Sequence, residues 1–212
     1  MRLAILTTLA LTAAVAAPII AQQPPMAVPG SPNPASITGG TYTADPAHSM
    51  VKWTVNHLGF TPYTGIFGDV AGTLTLDPKN LSAAKVDVTI PVSKVTTASS
   101  GLTAHLLKPA AGGKADFFGA SPADARFVST GVVATGQSAR VTGNLTLNGV
   151  TKPVTLDAKF FGAGKAPAMM GGKENVGFTA TGTIRRSEFG VAYGIPIVSD
   201  AVQLDIIGAF QK

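Results

Sequence analysis

The sequence predicts an all-β protein, an antiparallel barrel of roughly eight strands with a short helix and loop over one opening. Three features carry that prediction. Apolar residues recur at every second position along most of the chain, which is the period of a sheet with one buried and one wet face. Tight-turn residues punctuate the alternation, and only one stretch shows apolar residues at helical spacing.

The elements follow in chain order. Met1-Arg2 places a positive charge ahead of the apolar run Leu3 to Ala17, and small residues close it at Ala14-Val15-Ala16-Ala17. That order is the pattern of a secretory signal peptide, read here over residues 1–21. The run is shorter than the ~20 apolar residues of a spanning helix. Cleavage is expected near Ala16 or after Ala21, and the weighed alternative is a retained anchor. Residues 22–40 are crowded with Gln, Pro, Gly, Ser and Asn and carry no period, so they read as an extended, solvated linker. Residues 41–212 then form one domain.

Within it, Val51, Trp53, Val55 and His57 share one face of a strand. The same alternation runs through Val70–Leu76, Val86–Val92, Val141–Leu147, Val154–Phe160, Val176–Ile184 and Val202–Phe210. Asn148-Gly149 is a hairpin signal because both residues tolerate positive φ, and Asp77-Pro78-Lys79-Asn80 marks a second turn. Thr97 to Leu107 places Leu102, His105 and Leu106 at helical spacing; Pro109 ends that helix and Ala110–Lys114 is loop. A long meander of one-faced strands hides its edges by closing into a barrel. Small inward residues such as Gly72, Gly143, Ala180, Gly182 and Gly208 either leave a cavity or relieve strain in a filled core. The pattern alone leaves that choice open.

Composition narrows the function. The chain has no cysteine, which removes thiol nucleophiles and thiolate metal sites. Without Arg2, 15 Lys and Arg stand against 11 Asp and Glu, a net of +4. These charges are scattered, so nucleic acid is not an expected partner, whereas transient contact with anionic membranes is allowed. His48, His57 and His105 lack metal-ligand spacing, and no metal site is expected. Asp45, His48 and Ser49 sit too close along one extended segment to converge as a triad. No Gly-x-Ser-x-Gly elbow, phosphate loop or dinucleotide fingerprint occurs, so no enzyme and no catalytic cofactor are expected.

Five stretches resemble, in order, the YceI-like polyisoprenoid-binding proteins. Tyr42, Asp45-Pro46-Ala47-His48-Ser49 and Val51 to Gly59 resemble the family's opening, and Gly65 to Gly72 its second motif. His105-Leu106 with Asp116-Phe117-Phe118 resembles its helix and Asp-Phe-Phe element. Gly143 to Val154 is the most specific match, and Ile184 to Gly190 with Val198-Ser199-Asp200 closes the set. The insertion Lys108 to Ala115, and Thr103-Ala104 before His105, depart from the pattern near the expected mouth.

The resemblance implies a lipocalin-like barrel in a periplasmic or secreted protein that sequesters or carries a long-chain isoprenoid, a polyprenyl or isoprenoid quinone. Trp53, Val55, Phe67, Leu74, Val88, Leu145, Leu147 and Phe178 are expected to border the pocket by inward phase. Leu102, Leu106, Phe117 and Phe118 are expected to border it from the covering segment. His57 and His105 are candidate polar contacts, and Arg186 a candidate clamp for an anionic head or, alternatively, an ion pair with Asp200 or Glu188. Two other readings remain: a non-catalytic stress or interaction protein with a packed barrel, and an accessory to a membrane quinone-dependent electron-transfer system. An exposed edge or apolar lid would allow a homodimer.

Overall fold

The computed structural model describes residues 27–212. The expected signal peptide and the first residues of the expected linker lie outside the described residues. Eleven strands and one α-helix are present among those described. In order they are β1 (Gly40–Ala44), β2 (Met50–His57), β3 (Thr61–Phe67), β4 (Ala71–Leu76), β5 (Lys85–Ile90) and β6 (Val95–Thr97). There follow α1 (Ser100–Leu106), β7 (Ala125–Thr135), β8 (Ser138–Leu147), β9 (Val150–Lys165), β10 (Glu174–Arg185) and β11 (Ala201–Gln211).

Eight of the strands close an antiparallel ring, β1-β4-β5-β7-β8-β9-β10-β11, sealed by pairing of Thr43 with Gln211 and Ala44 with Phe210. The other three extend it upward, with β2 pairing along β11 beyond β1, β3 along β2, and β6 along β3. The pairs β1–β2, β3–β4 and β5–β6 are therefore long staves, each broken in the middle. The breaks fall at Pro46, at Asp69 in left-handed backbone (φ 56°) and at Pro91, residues that interrupt a ladder. Above the break β6 pairs only with β3 while β5 below it pairs with β7. The helix α1 packs beside β6, and the Thr103 hydroxyl accepts from the Thr97 amide (3.1 Å).

Local chemistry explains the joints. Ser99 caps α1 by accepting from the Leu102 amide, and the helix stops at Leu107, two residues before Pro109. Asn148 and Gly149 both have positive φ (52° and 78°), the geometry that two-residue hairpins need. Asp77 accepts from the Asn80 amide through its carbonyl and from the Lys79 amide through its carboxylate.

Two bulges shift the phase of long strands. Thr130 is the extra residue between Ser129 and Gly131 in the β7–β8 pair, and Phe161 is the extra residue of β9 opposite Gly177 and Phe178. Ala125 and Phe127 therefore face inward before the first bulge, and Val132 and Ala134 after it.

Residues 31–38 of the expected solvated linker behave differently from that reading. Ser31 forms an antiparallel bridge with Ala163, on the edge of β9 that lies past the start of β8. From there the chain crosses the lower end of the barrel to β1, and Ile37 is only 8% exposed in a cluster with Tyr42, Leu76 and Phe160. The Tyr42 hydroxyl donates to the Thr38 carbonyl (2.7 Å), Thr38 bonds Glu174, and the Gln137 amide donates to the Pro32 carbonyl (3.2 Å). Burial of Ile37, with this set of bonds, orders a segment whose composition alone points to solvent.

Candidate functional site

The inward faces of the ring do not fill it. A cavity of about 260 Å³ runs from the strap at residues 34–37 toward the broken staves. Pro34, Ile37 and Gln137 close its lower end, Leu74, Val88, Phe127, Leu156 and Ala180 line its middle, and Phe67, Val92 and Leu147 its upper end. Strand β11 contributes Leu204, Ile206, Gly208 and Phe210. The volume falls just under the ~300–1,000 Å³ of typical small-molecule pockets, which suits one slender ligand.

No ionisable side chain lines this space among the described residues, and its few polar side chains are Ser49, Gln137, Ser138 and Thr179. Ser49 is 2% exposed, and its hydroxyl both donates to the Ala209 carbonyl and accepts from the Ala209 amide (3.0 Å each). Its bonding is spent on β11. Such a wall penalises an unpaired charge by several kcal/mol, whereas each buried methylene gains about 0.8 kcal/mol.

The inward glycines serve two ends. A Cβ at Gly143 would fall 2.4 Å from the Phe127 ring, so that glycine seats an aromatic side chain and leaves no void. Gly208 lines the cavity itself, as does Ala180.

The expected pocket residues divide into two groups. Phe67, Leu74, Val88, Leu145, Leu147 and Phe178 line the cavity. Trp53 and Val55 lie one layer away: Trp53 is 6.4 Å from Phe67 between ring centroids, and Val55 is buried among Phe127, Ile184 and Phe189. His57 is exposed at the end of β2 and bridges Val198. The segment from α1 to Phe118 lies outside the cavity wall. Leu106 is buried and Leu102 half-buried on the helix, and Phe118 packs edge-on to Phe67 (5.9 Å). His105 donates from Nε2 to the Asp116 carboxylate (Oδ2, 2.8 Å) and forms an edge-to-face trio with Phe117 (5.2 Å) and Tyr193 (5.4 Å). These residues cover the flank left open beside β6, because the helix packs on that strand.

Arg186 is corrected from head-group clamp to internal brace. It is 6% exposed, and its guanidinium donates to the carbonyls of Ser199, Val191, Tyr193 and Val198 at 2.8–3.0 Å. Burial lowers its pKa from the ordinary value and the charge of Asp200 opposes that. Neither ion pair considered for it forms; Asp200 instead lies 3.8 Å from Arg185 and accepts from the amide and hydroxyl of Ser187 (2.8 Å each). Lys114, inside the insertion Lys108 to Ala115, donates to the Gly190 carbonyl (2.6 Å) and so ties the insertion to the braced loop.

Sequence reasoning overlooked Phe127, Val132, Pro34 and Ile37 as lining residues. The first two carry an alternation signal that the Thr130 bulge interrupts. The other two carry none. Asp45 and His48 do pair (Oδ2 to Nδ1, 2.7 Å), but on the surface, with the Ser49 hydroxyl bonded elsewhere. No cluster of three or more His, Asp or Glu residues suited to a metal occurs among the described residues.

Comparison with known proteins agrees with the architecture. Residues 42–210 match the YceI-like domain. Protein YceI of Salmonella arizonae is 42% identical over 160 residues, covering 75% of this chain and 79% of that protein. Among solved structures, the Campylobacter jejuni YCEI protein has a TM-score of 0.61 at 30% identity, over 74% of this chain and 88% of the other. Burkholderia cenocepacia BcnA has a TM-score of 0.63 at 26% identity, over 78% and 98%. A polyisoprenoid binding domain from Saccharophagus degradans shares the fold, with a TM-score of 0.56 at 15% identity over 80% and 97%.

Proposed function

The chain belongs to the YceI-like family, and on that footing we propose that it is an exported carrier that holds a long-chain isoprenoid inside its barrel and does no chemistry on it. The observation that carries this reading is the cavity: carbon-lined from the strap at residues 34–37 to the broken staves, and free of ionisable groups among the described residues. A flexible hydrocarbon chain gains from burial along its whole length, so such a wall needs few polar contacts to hold one. The fold is shared with a domain that binds polyisoprenoids, which makes a polyprenyl or isoprenoid quinone the first ligand to try. A wall without acid or base among the described residues supports carriage over catalysis.

Export is supported by the signal-peptide pattern over residues 1–21. A periplasmic or secreted carrier must meet a membrane to load and unload. The β9–β10 turn supports that contact, since Met169 (81% exposed) and Met170 (68%) project between Lys165 and Lys173. Apolar tips flanked by cations suit an anionic bilayer surface.

Delipidated protein offered tritiated geranylgeraniol tests the carrier reading. One molecule retained per folded chain through gel filtration is expected. Folded protein that retains neither this prenol nor an isoprenoid quinone would contradict the proposal.

A further inference from the structure

Among the described residues, two buried side-chain hydrogen-bonding groups have no partner: the indole Nε1–H of Trp53 and the hydroxyl of Tyr63. Buried polar groups in folded proteins are nearly always satisfied, so each orphan calls for an explanation. These two are neighbours. In the β2–β3 ladder Trp53 faces Gly65 and Val55 faces Tyr63, which places Trp53 and Tyr63 diagonally adjacent on one face of the hairpin. In the empty protein neither side chain lines the cavity, and their face runs directly behind its upper wall. Val51, two residues before Trp53, lines the cavity, and so does Leu204, the partner of Trp53 across β11. Phe67, another lining residue, packs 6.4 Å from the indole.

We infer that Trp53 and Tyr63 form the polar subsite at the upper end of the cavity, receiving an uncharged, oxygen-bearing head group. This rests on the carrier reading and specifies the ligand's head. Indole N–H donates only, and a phenol hydroxyl donates readily, so the matching chemistry is an acceptor oxygen: a prenol hydroxyl or a quinone carbonyl. A diphosphate does not match. The one buried cation among the described residues, Arg186, gives four of its N–H groups to main-chain carbonyls, and the cavity wall, among those residues, carries no charge to meet an anion. Desolvating an unpaired diphosphate there is strongly unfavourable.

The test compares geranylgeraniol, geranylgeranyl diphosphate and the hydrocarbon phytane on the full chain and on Tyr63→Phe and Trp53→Phe. Tyr63→Phe deletes a hydroxyl that bonds nothing in the empty protein, so its folding is expected to be unimpaired. The wild type should prefer geranylgeraniol to both other probes. Each variant should lose roughly three- to ten-fold in affinity for geranylgeraniol, the worth of one neutral hydrogen bond, with phytane affinity unchanged. Trp53 is the only tryptophan, so its emission should respond to geranylgeraniol and not to phytane. Equal binding of prenol and hydrocarbon by all forms would overturn the subsite and leave the carrier standing, as would tighter binding of the diphosphate. Failure of every probe to bind the wild type would remove the carrier reading and the subsite together.

Discussion

The indole of Trp53 occupies the space that a side chain at Gly65 would need: a Cβ there would lie 2.2 Å from Cζ2 and 2.5 Å from Cε2 of the ring. Glycine at 65 thus sets the position of Trp53 across the β2–β3 pair, beside the upper end of the cavity. Gly65→Ala should displace the indole and cost about 1–3 kcal/mol, as overpacking does. Denaturant titration measures the cost, and tryptophan emission reports the displacement directly because Trp53 is the sole source.

Ala180 separates an open cavity from a packed core. It lines the cavity, and Ala180→Leu would project extra carbon into empty space. Retained geranylgeraniol should fall at least several-fold, with thermal stability unchanged or slightly raised. A filled interior would give the reverse pattern, a loss of about 1–3 kcal/mol without any ligand to lose.

Arg186→Ala should be among the most damaging single changes. Four carbonyls, buried or partly buried, would lose their donor at once, and the loop from Val191 to Ser199 its brace. A loss of about 3–5 kcal/mol is expected in urea unfolding. Affinity for geranylgeraniol, corrected for the folded fraction, should not change. A large drop in that corrected affinity would restore Arg186 as a ligand contact.

Asp200 adds a pH dependence. Its bond from the Ser187 amide, first among its causes, holds its carboxyl below the usual carboxylate range. A depressed folded-state pKa means that the stabilisation is complete above the unfolded value of ~3.9 and is lost as pH falls through the folded one. Asp200→Asn should therefore cost about 1–2 kcal/mol at neutral pH, with the difference from wild type shrinking below pH ~4. Thermal melts across that range measure it; a constant difference at all pH values would remove the carboxylate from the explanation.

Ile37 is expected to control exchange at the lower end of the barrel. It is buried and lines the cavity there, on the strap that crosses from β9 to β1. Ile37→Asp places a charge where apolar packing closes the end, and release of bound geranylgeraniol should quicken at least ten-fold in stopped-flow exchange. Unchanged release would place the exit at the opposite end.

Much of this molecule was legible in the alternation. Val141 to Leu147 and Val202 to Phe210 declare strands and inward faces without ambiguity, and Asn148-Gly149 declares the hairpin between β8 and β9. The strand β7 escaped because Thr130 resets its phase, so Phe127 and Val132 fall on opposite parities while facing the same interior. Ile37 escaped for a different reason: a lone apolar residue among prolines has no period to read. Whether the barrel is hollow is not a property of alternation at all. It depends on how rings such as Phe127 settle onto glycines such as Gly143, which only the closed ring determines. The helix was legible in the spacing of Leu102, His105 and Leu106, and its packing beside β6 follows from the tertiary fold.

The central claim, a barrel that carries an isoprenoid, meets its most direct test in mass spectrometry of an organic extract from the protein purified out of its native compartment. One isoprenoid with an uncharged oxygen head, near one per chain, is the result expected. A clean extract from folded protein that also refuses added prenols and quinones would contradict it.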